Sequence, residues 1–514
     1  MRDRSLSQDE PPIITSINLW SEFRRSLVVN ADRAALQCGP TTWTYADLAL
    51  AVASAYGSLS EAGVGAGDRV VLFLENEFAF PVADLALMAL GAVKVPVSAA
   101  LTGAEVDELA ERVRATAIVA GSELAKQVNH SGGATVITSK ALLAHLAPPL
   151  PERAPARWED PAVVYFTGGT TGKPKGIVHS QGGTVTNLWA HMLEGSIGHE
   201  EVMLLTTPMA HAAGLFTLAG LLRGAMVKIE RRFDPVATLE CISRDAVTWT
   251  FVVPTMIYRL LDLPQIQTAD LSALRTIQYG AAPISPARLR ESIERFGPVL
   301  QQLYAQTECP NYATLLRKSD HVAALEEPSL LASCGRSTVM CDVSVRDETG
   351  LEVESGESGE VCLRAPYLMD GYWDDEEEAR KRFTDGWLRT GDIGYLDDRG
   401  YLFLVDRRND MIITGGLNVY SAEVERIICE FPGVRAAAVV GLPHDDWGEA
   451  VHGVVVVGDG FTNIHELKAF CRQRLAAYKT PKHFEVVDEL PLTQYGKVDK
   501  KMLRNRAPAS TEVS

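Results

Sequence analysis

Residues 165–180 read YFTGGTTGKPKGIVHS. Apolar runs flank this stretch, with Ala162-Val163-Val164-Tyr165-Phe166 on one side and Gly176-Ile177-Val178 on the other. Between them lie Gly168, Gly169, Gly172 and Gly176, the hydroxyls of Thr167, Thr170 and Thr171, and the ammonium groups of Lys173 and Lys175. Glycines let backbone N–H groups approach a ligand, and a turned backbone forms anion-binding concavities. Hydroxyls donate hydrogen bonds and lysines add charge. The chemistry this composition suits is the gripping of phosphate. It is not the Walker A loop. That pattern needs Gly-Lys followed by Ser or Thr at a helix start, whereas Pro174 follows Gly172-Lys173 and the chain beyond it is strand-like.

Four further stretches carry groups that suit a nucleotide. Tyr304-Ala305-Gln306-Thr307-Glu308 follows the apolar Val299-Leu300, and a Thr-Glu pair at a strand end offers the hard oxygens that Mg²⁺ prefers. Gly280-Ala281-Ala282-Pro283 presents small residues on which a flat ring can lie. Thr390-Gly391-Asp392 and Asp406-Arg407 place a carboxylate and a guanidinium at turns, and a carboxylate accepts from both hydroxyls of a ribose. Pro491-Leu492-Thr493-Gln494-Tyr495-Gly496-Lys497 sets a lysine on a glycine-adjacent turn.

The elements that must position these groups follow from periodicity. Tyr45 to Ala62 is helical in period, Arg69 to Leu74 reads as a strand, and a helix to Leu90 leads into a strand at Val93 to Val97. Residues 147–161 are proline-rich and connect. Strands are expected at 226–229, 248–253 and 276–279, with helices at 235–244, 255–263 and 286–296 between them. Such alternation indicates an α/β sheet. From Ser333 to about 405 the texture changes to short β-like runs with Gly turns, a β subdomain. Beyond Asp406 come a helix at 422–430, strands at 436–442 and 452–457 and a helix at 464–475, a compact α+β unit. The expected architecture is therefore a disordered terminus over 1–18, a large multi-subdomain α/β domain with a β subdomain over 19–406 and a small, mobile α+β domain over 407–508.

The length of 514 residues is too great for one core. A net charge of −17 argues against non-specific nucleic-acid binding, so an anionic ligand needs local positive charge such as that of residues 173–175. Eight cysteines without a CxxC pair suit free thiols in a reducing cytoplasm. MRDRSLSQDEPP has no apolar core of a secretory signal. Val82 to Leu101 is apolar but holds Asp84, Lys94 and Pro96, so it reads as a buried helix and strand and not a membrane span.

In this order the motifs resemble those of the adenylate-forming superfamily of acyl- and aryl-CoA synthetases, peptide adenylation domains and luciferases, over about residues 20–505. The resemblance implies that Thr167 to Lys175 holds the β- and γ-phosphates of ATP. Glu308 would bind Mg²⁺, with Thr307 on the α-phosphate. Tyr304 would stack on adenine, with Gly280, Ala281, Ala282 and Pro283 on its other side. Asp392 would hold the ribose, helped by Arg407. Lys497 would bridge the attacking carboxylate and the phosphate, and His211 would lie beside the acyl site. Asn409 falls at the family's hinge, and Gly415 and Gly416 at its pantetheine tunnel. Two departures stand out: Ala305 replaces a usual Gly, and Ser421 replaces a Pro common in CoA ligases.

The resemblance implies a two-step reaction: a carboxylic acid attacks ATP to give an acyl-adenylate and pyrophosphate, and the acyl group then passes to CoA. An amine, in an amide synthetase of secondary metabolism, or a carrier-protein thiol is the alternative acceptor. A non-catalytic acid-binding relative would be expected to lack Lys497 or Glu308, and both are present. The acyl pocket is expected near His211, Tyr279 to Ala281, Ala305 and Tyr312. Ala305 would narrow it and favour an aromatic, cyclic or medium-length acid over a long fatty acid.

Overall fold

A computed structural model of the chain describes residues 18–129, 132–167, 174–407, 410–415, 417–444, 447–492 and 498–505. Asn18 caps the first helix, Leu19–Val29, by accepting from the Ser21 backbone N–H. Two large sheets follow. One has nine strands in the spatial order Arg336–Ser337, Cys309–Leu316, Leu300–Gln306, Thr276–Gly280, Trp249–Val252, Val202–Leu205, Met226–Ile229, Ala34–Cys38 and Thr41–Thr44. Its middle is parallel and its edges antiparallel. The other has seven strands in the order Gly371–Tyr372, Lys175–Ser180, Pro161–Thr167, Val93–Pro96, Arg69–Phe73, Ala117–Ala120 and Thr135–Thr138.

The helices Ala79–Leu90 and Ala212–Arg223 belong to the core cluster that joins these sheets, and every residue of Ala79–Leu90 is buried. Its hydrophobicity all round is the pattern of an interior helix. Gly91 ends it at φ +68°, and the strand Val93–Pro96 follows at once. The charges inside this apolar stretch pair with each other: Lys94 Nζ lies 2.5 Å from Asp84 Oδ2, with side chains 6% and 2% exposed. No helix among the described residues is long and apolar enough to cross a membrane.

A third sheet, antiparallel, joins Asp342–Arg346, Gly359–Arg364, Trp387–Leu396, Phe383–Thr384 and Leu402–Arg407. It is the β-rich segment expected from residue 333, and it delivers Asp392. A fourth sheet, of Leu417–Val419, Ile412–Thr414, Gly448–Val457, Val434–His444 and His483–Val487, packs with the helices Ser421–Cys429 and Ile464–Arg474 around its own apolar cluster. The helices Pro235–Arg244 and Pro286–Phe296 coincide with the expected ranges. The strand Cys309–Leu316 escapes the periodicity, because it is buried on both faces and shows no alternation.

Candidate nucleotide site

The strands Pro161–Thr167 and Lys175–Ser180 form an antiparallel hairpin in which Thr167 faces Lys175. Gly168, Gly169, Thr170, Thr171, Gly172 and Lys173 lie outside the described residues. Lys175 Nζ sits 2.6 Å from Glu378 Oε1 and 5.3 Å from the centre of the Tyr372 ring.

His179, two turns of pleat beyond Lys175, ties this hairpin to the next motif. Its Nε2 meets the Thr307 carbonyl oxygen at 2.9 Å. A carbonyl only accepts, so Nε2 carries the proton. Burial pushes the imidazole pKa down, favouring the neutral ring. The bound carbonyl lies in the Thr307-Glu308 turn between the strands Leu300–Gln306 and Cys309–Leu316. Glu308 points toward the hairpin's side. Its Oε1 accepts from the Tyr372 hydroxyl at 3.0 Å and from Arg382 Nη2 at 3.1 Å.

The same strand end reaches the opposite way. Tyr304 is buried and its hydroxyl donates to Asp392 Oδ2 at 2.6 Å. Gln306 Nε2 donates to the same oxygen at 2.7 Å and to the Thr390 carbonyl at 3.0 Å. Burial and the Asp392 carboxylate raise the Tyr304 phenol well above its ordinary pKa, so it stays a donor. The Asp392 backbone N–H donates to Thr390 Oγ1, and Thr390 Oγ1 to the Val361 carbonyl, which fixes the turn. Gly391 there has φ +74°. Asp392 pairs in register with Arg407. Gly280 ends the strand beside Leu300–Gln306, in register with Leu303. Ala281 follows in the left-handed region at φ +67°, and Ala281 and Pro283 are exposed next to Tyr304's strand. These residues therefore share one rim.

His211 is the N-cap residue of Ala212–Arg223. Ala305 lies at a register shift between its strand and Cys309–Leu316, packed against the main core. One expectation about the acyl pocket needs correction. Tyr279 cannot line the same cavity as Tyr312. Side chains alternate along a strand. The Tyr312 hydroxyl meets Gln278 Oε1 at 3.3 Å on one face, while Tyr279 packs on the other, its hydroxyl 2.8 Å from His321 Nε2.

Lys497, Asn409 and Gly416 lie outside the described residues, and only the backbone of Arg407 is described. An antiparallel bridge between Leu492 and Val498 frames the segment that holds Lys497. Gly415 is at φ +57°, its N–H donating to the Trp447 carbonyl at 2.8 Å. Ser421, in the place of the usual Pro, opens Ser421–Cys429 and accepts from Lys500 Nζ at 2.7 Å.

Two carboxylates lie at this end, Glu378 on Lys175 and Glu308 on Tyr372 and Arg382; Glu308 is the one expected to hold a metal, and no group of three His, Cys, Asp or Glu fit for a metal occurs among the described residues. One carboxylate fits Mg²⁺ well, because that ion keeps several waters and takes its other ligands from substrate phosphates. His179, Glu378 and Arg382 were not evident from sequence. The first stands in a strand with no motif of its own. The other two lie in the run Asp374-Asp375-Glu376-Glu377-Glu378-Ala379-Arg380-Lys381-Arg382, which reads as a solvated helix.

The chain is similar to known proteins over most of its length. Residues 23–373 match the AMP-binding enzyme model, and 423–497 match the AMP-binding enzyme C-terminal domain. The chain is 36% identical to a feruloyl-CoA synthase of Amycolatopsis sp over 92% of its own length and 95% of the relative's. It is 41% identical to the medium/long-chain-fatty-acid–CoA ligase FadD8 of Mycobacterium tuberculosis, over 66% of this chain and 60% of that one. The amide bond synthetase McbA of Marinactinospora thermotolerans superposes with a TM-score of 0.88 at 33% identity, over 95% of this chain and 99% of McbA.

Proposed function

The chain belongs to the AMP-binding enzyme family, and from that premise we propose that it is an ATP-dependent acid ligase that forms an acyl-adenylate and passes the acyl group to CoA. One observation carries the reading. A single strand end, Tyr304 to Glu308, reaches Asp392 on one side and the Lys175 hairpin on the other, through His179 and Thr307. That spacing matches a nucleotide laid along the rim, with ribose on Asp392 and phosphates toward Lys175.

In this mechanism Asp392, held by Tyr304 and Gln306, accepts from the ribose hydroxyls. Gly280 to Pro283 form the wall for adenine. Thr167, Lys175 and the loop between them hold the β- and γ-phosphates, and Thr307 donates to the α-phosphate. Mg²⁺ held by Glu308 would neutralise phosphate charge as pyrophosphate departs. Lys497 approaches both the attacking carboxylate and the α-phosphate. Little covalent work falls to the protein, and positioning and charge carry the step. The small domain then rotates about residues near Asn409, and CoA enters past Gly415 and Gly416.

The acid is aromatic, cyclic or medium-length. Ala305 supports this, as does likeness to a feruloyl-CoA synthase over most of both chains. Amide formation is the second reading, favoured by the close superposition on McbA. Eight free thiols support a cytoplasmic setting. The test is pyrophosphate release across a panel of carboxylic acids, followed by addition of CoA, an amine or a carrier protein to the best substrate. Pyrophosphate release with an aryl or medium-chain acid and thioester formation with CoA are expected. Absence of acid-dependent pyrophosphate release across the panel would overturn the adenylation reading.

A further inference from the structure

The helix Glu376–Arg382 follows the strand Gly371–Tyr372 and runs past the phosphate end of the site. Most of its charges face water. Glu376 pairs with Arg380 and Glu377 with Lys381 along its outer side, all of them well exposed. Glu378 and Arg382 stand one turn apart on one face, since residues four apart are neighbours on a helix. That face turns inward. Arg382 donates through Nε to the Tyr372 hydroxyl at 3.0 Å, through Nη1 to the Arg389 carbonyl at 3.1 Å and through Nη2 to Glu308 Oε1 at 3.1 Å. A planar guanidinium with donors on three acceptors is locked. It fixes the helix over Glu308. Asp375 accepts from the Glu378 backbone N–H at 3.1 Å and fixes its other end.

Glu378 is thereby held with its carboxylate 2.6 Å from Lys175 Nζ, the side chains 30% and 26% exposed. We infer that Glu378 sets the affinity of the site for a triphosphate by competing with the β- and γ-phosphates for Lys175. The inference rests on the reading of Lys175 as a phosphate ligand. A carboxylate in this place takes one of the three directions in which the ammonium donates. It also sets a negative charge within a few ångströms of a polyanion, in surroundings that screen it only in part. Glu378 could instead help by holding Lys175 in place. That service is already supplied by the Tyr372 ring, 5.3 Å from Nζ, which does not depend on Glu378. Competition therefore outweighs positioning. AMP, which has neither β- nor γ-phosphate, is not subject to it.

Titration calorimetry of ATP and AMP into the full chain tests this, with Glu378→Gln, Lys175→Gln and the double variant. Gln keeps the shape of Glu at a half-exposed position, so the fold is not at risk. In Glu378→Gln the Kd for ATP is expected to fall about threefold to tenfold, with AMP unchanged and the gain shrinking as salt rises. In the double variant the gain vanishes. Unchanged or weaker ATP binding in Glu378→Gln, while Lys175→Gln still weakens ATP, overturns the competition and leaves Lys175 a phosphate ligand. An equal gain for AMP also overturns it. ATP binding unaffected by Lys175→Gln removes the reading beneath it.

Discussion

Tyr304 shows how one side chain can serve both the core and the candidate site. It fills the core with its ring and donates to Asp392 with its oxygen. Tyr304→Phe keeps the ring and leaves Asp392 with Gln306. A lost hydrogen bond to a charged group costs about 1.5–3 kcal/mol, so ATP and AMP should both bind about tenfold to a hundredfold more weakly in a calorimetric titration. A loss confined to ATP would place Asp392 away from the ribose. Lys497 is expected to act at the reacting atoms, and Lys497→Ala should abolish pyrophosphate exchange with no change in melting temperature. Exchange within a few-fold of the parent would sink that role. The residues legible in the sequence were those whose chemistry is announced by dense neighbours, as in Thr167 to Lys175 or Tyr304 to Glu308. His179, Glu378 and Arg382 were not legible, because each acts through a partner between 74 and 203 positions away. A charge run looks the same whether one of its faces meets water or a lysine.

At the scale of elements, the helix Ala79–Leu90 and the strand Val93–Pro96 were readable because their apolar run is broken by Gly91 and Pro96. That Asp84 and Lys94 would meet was not readable from periodicity. It depends on how far the helix returns along the strand. Their pair is nearly sealed from water, with Asp84 Oδ1 lacking a hydrogen-bond partner. Removing one charge strands the other, and such loss typically costs 3–5 kcal/mol, whereas replacing both by apolar groups is often neutral. Lys94→Met should therefore lower stability by about 3–5 kcal/mol in urea unfolding, and adding Asp84→Leu should restore most of it. If the double variant is as unstable as the single one, packing and not charge explains the loss. The facing of Tyr279 is a further limit of sequence. A strand at 276–279 was expected, but a strand buried on both faces gives no pattern to say which side chain meets the expected acyl site.

The whole molecule sets the proposed nucleotide rim where three sheets meet: the seven-stranded sheet supplies Lys175 and His179, the nine-stranded sheet Tyr304 to Glu308, and the antiparallel sheet Asp392. Alternating periodicity made the class of fold legible, while the meeting of sheets came only from packing. That packing also buries two imidazoles as neutral groups. His191 Nδ1 faces the Asn187 carbonyl at 2.7 Å and must donate, so its Nε2 accepts from Asn311 Nδ2 at 2.8 Å. His321 is arranged alike, with Nδ1 toward the Arg317 carbonyl and Nε2 toward the Tyr279 hydroxyl, both at 2.8 Å. Burial pushes each pKa down to about 4 from the ordinary 6.5. Between these values the unfolded chain binds protons that the folded chain refuses. Stability is therefore full above pH 6.5 and falls as pH drops toward 4, by on the order of 3 kcal/mol for each ring. Urea unfolding at pH 7.5 and at pH 5.0 should show the loss. His321→Gln should be less stable than the parent at pH 7.5 yet lose less between the two conditions, because one refusing group is gone. An equal or steeper loss in His321→Gln would mean that His321 already takes up its proton in the folded state, and that the cluster behind the Thr276–Gly280 strand is open to water.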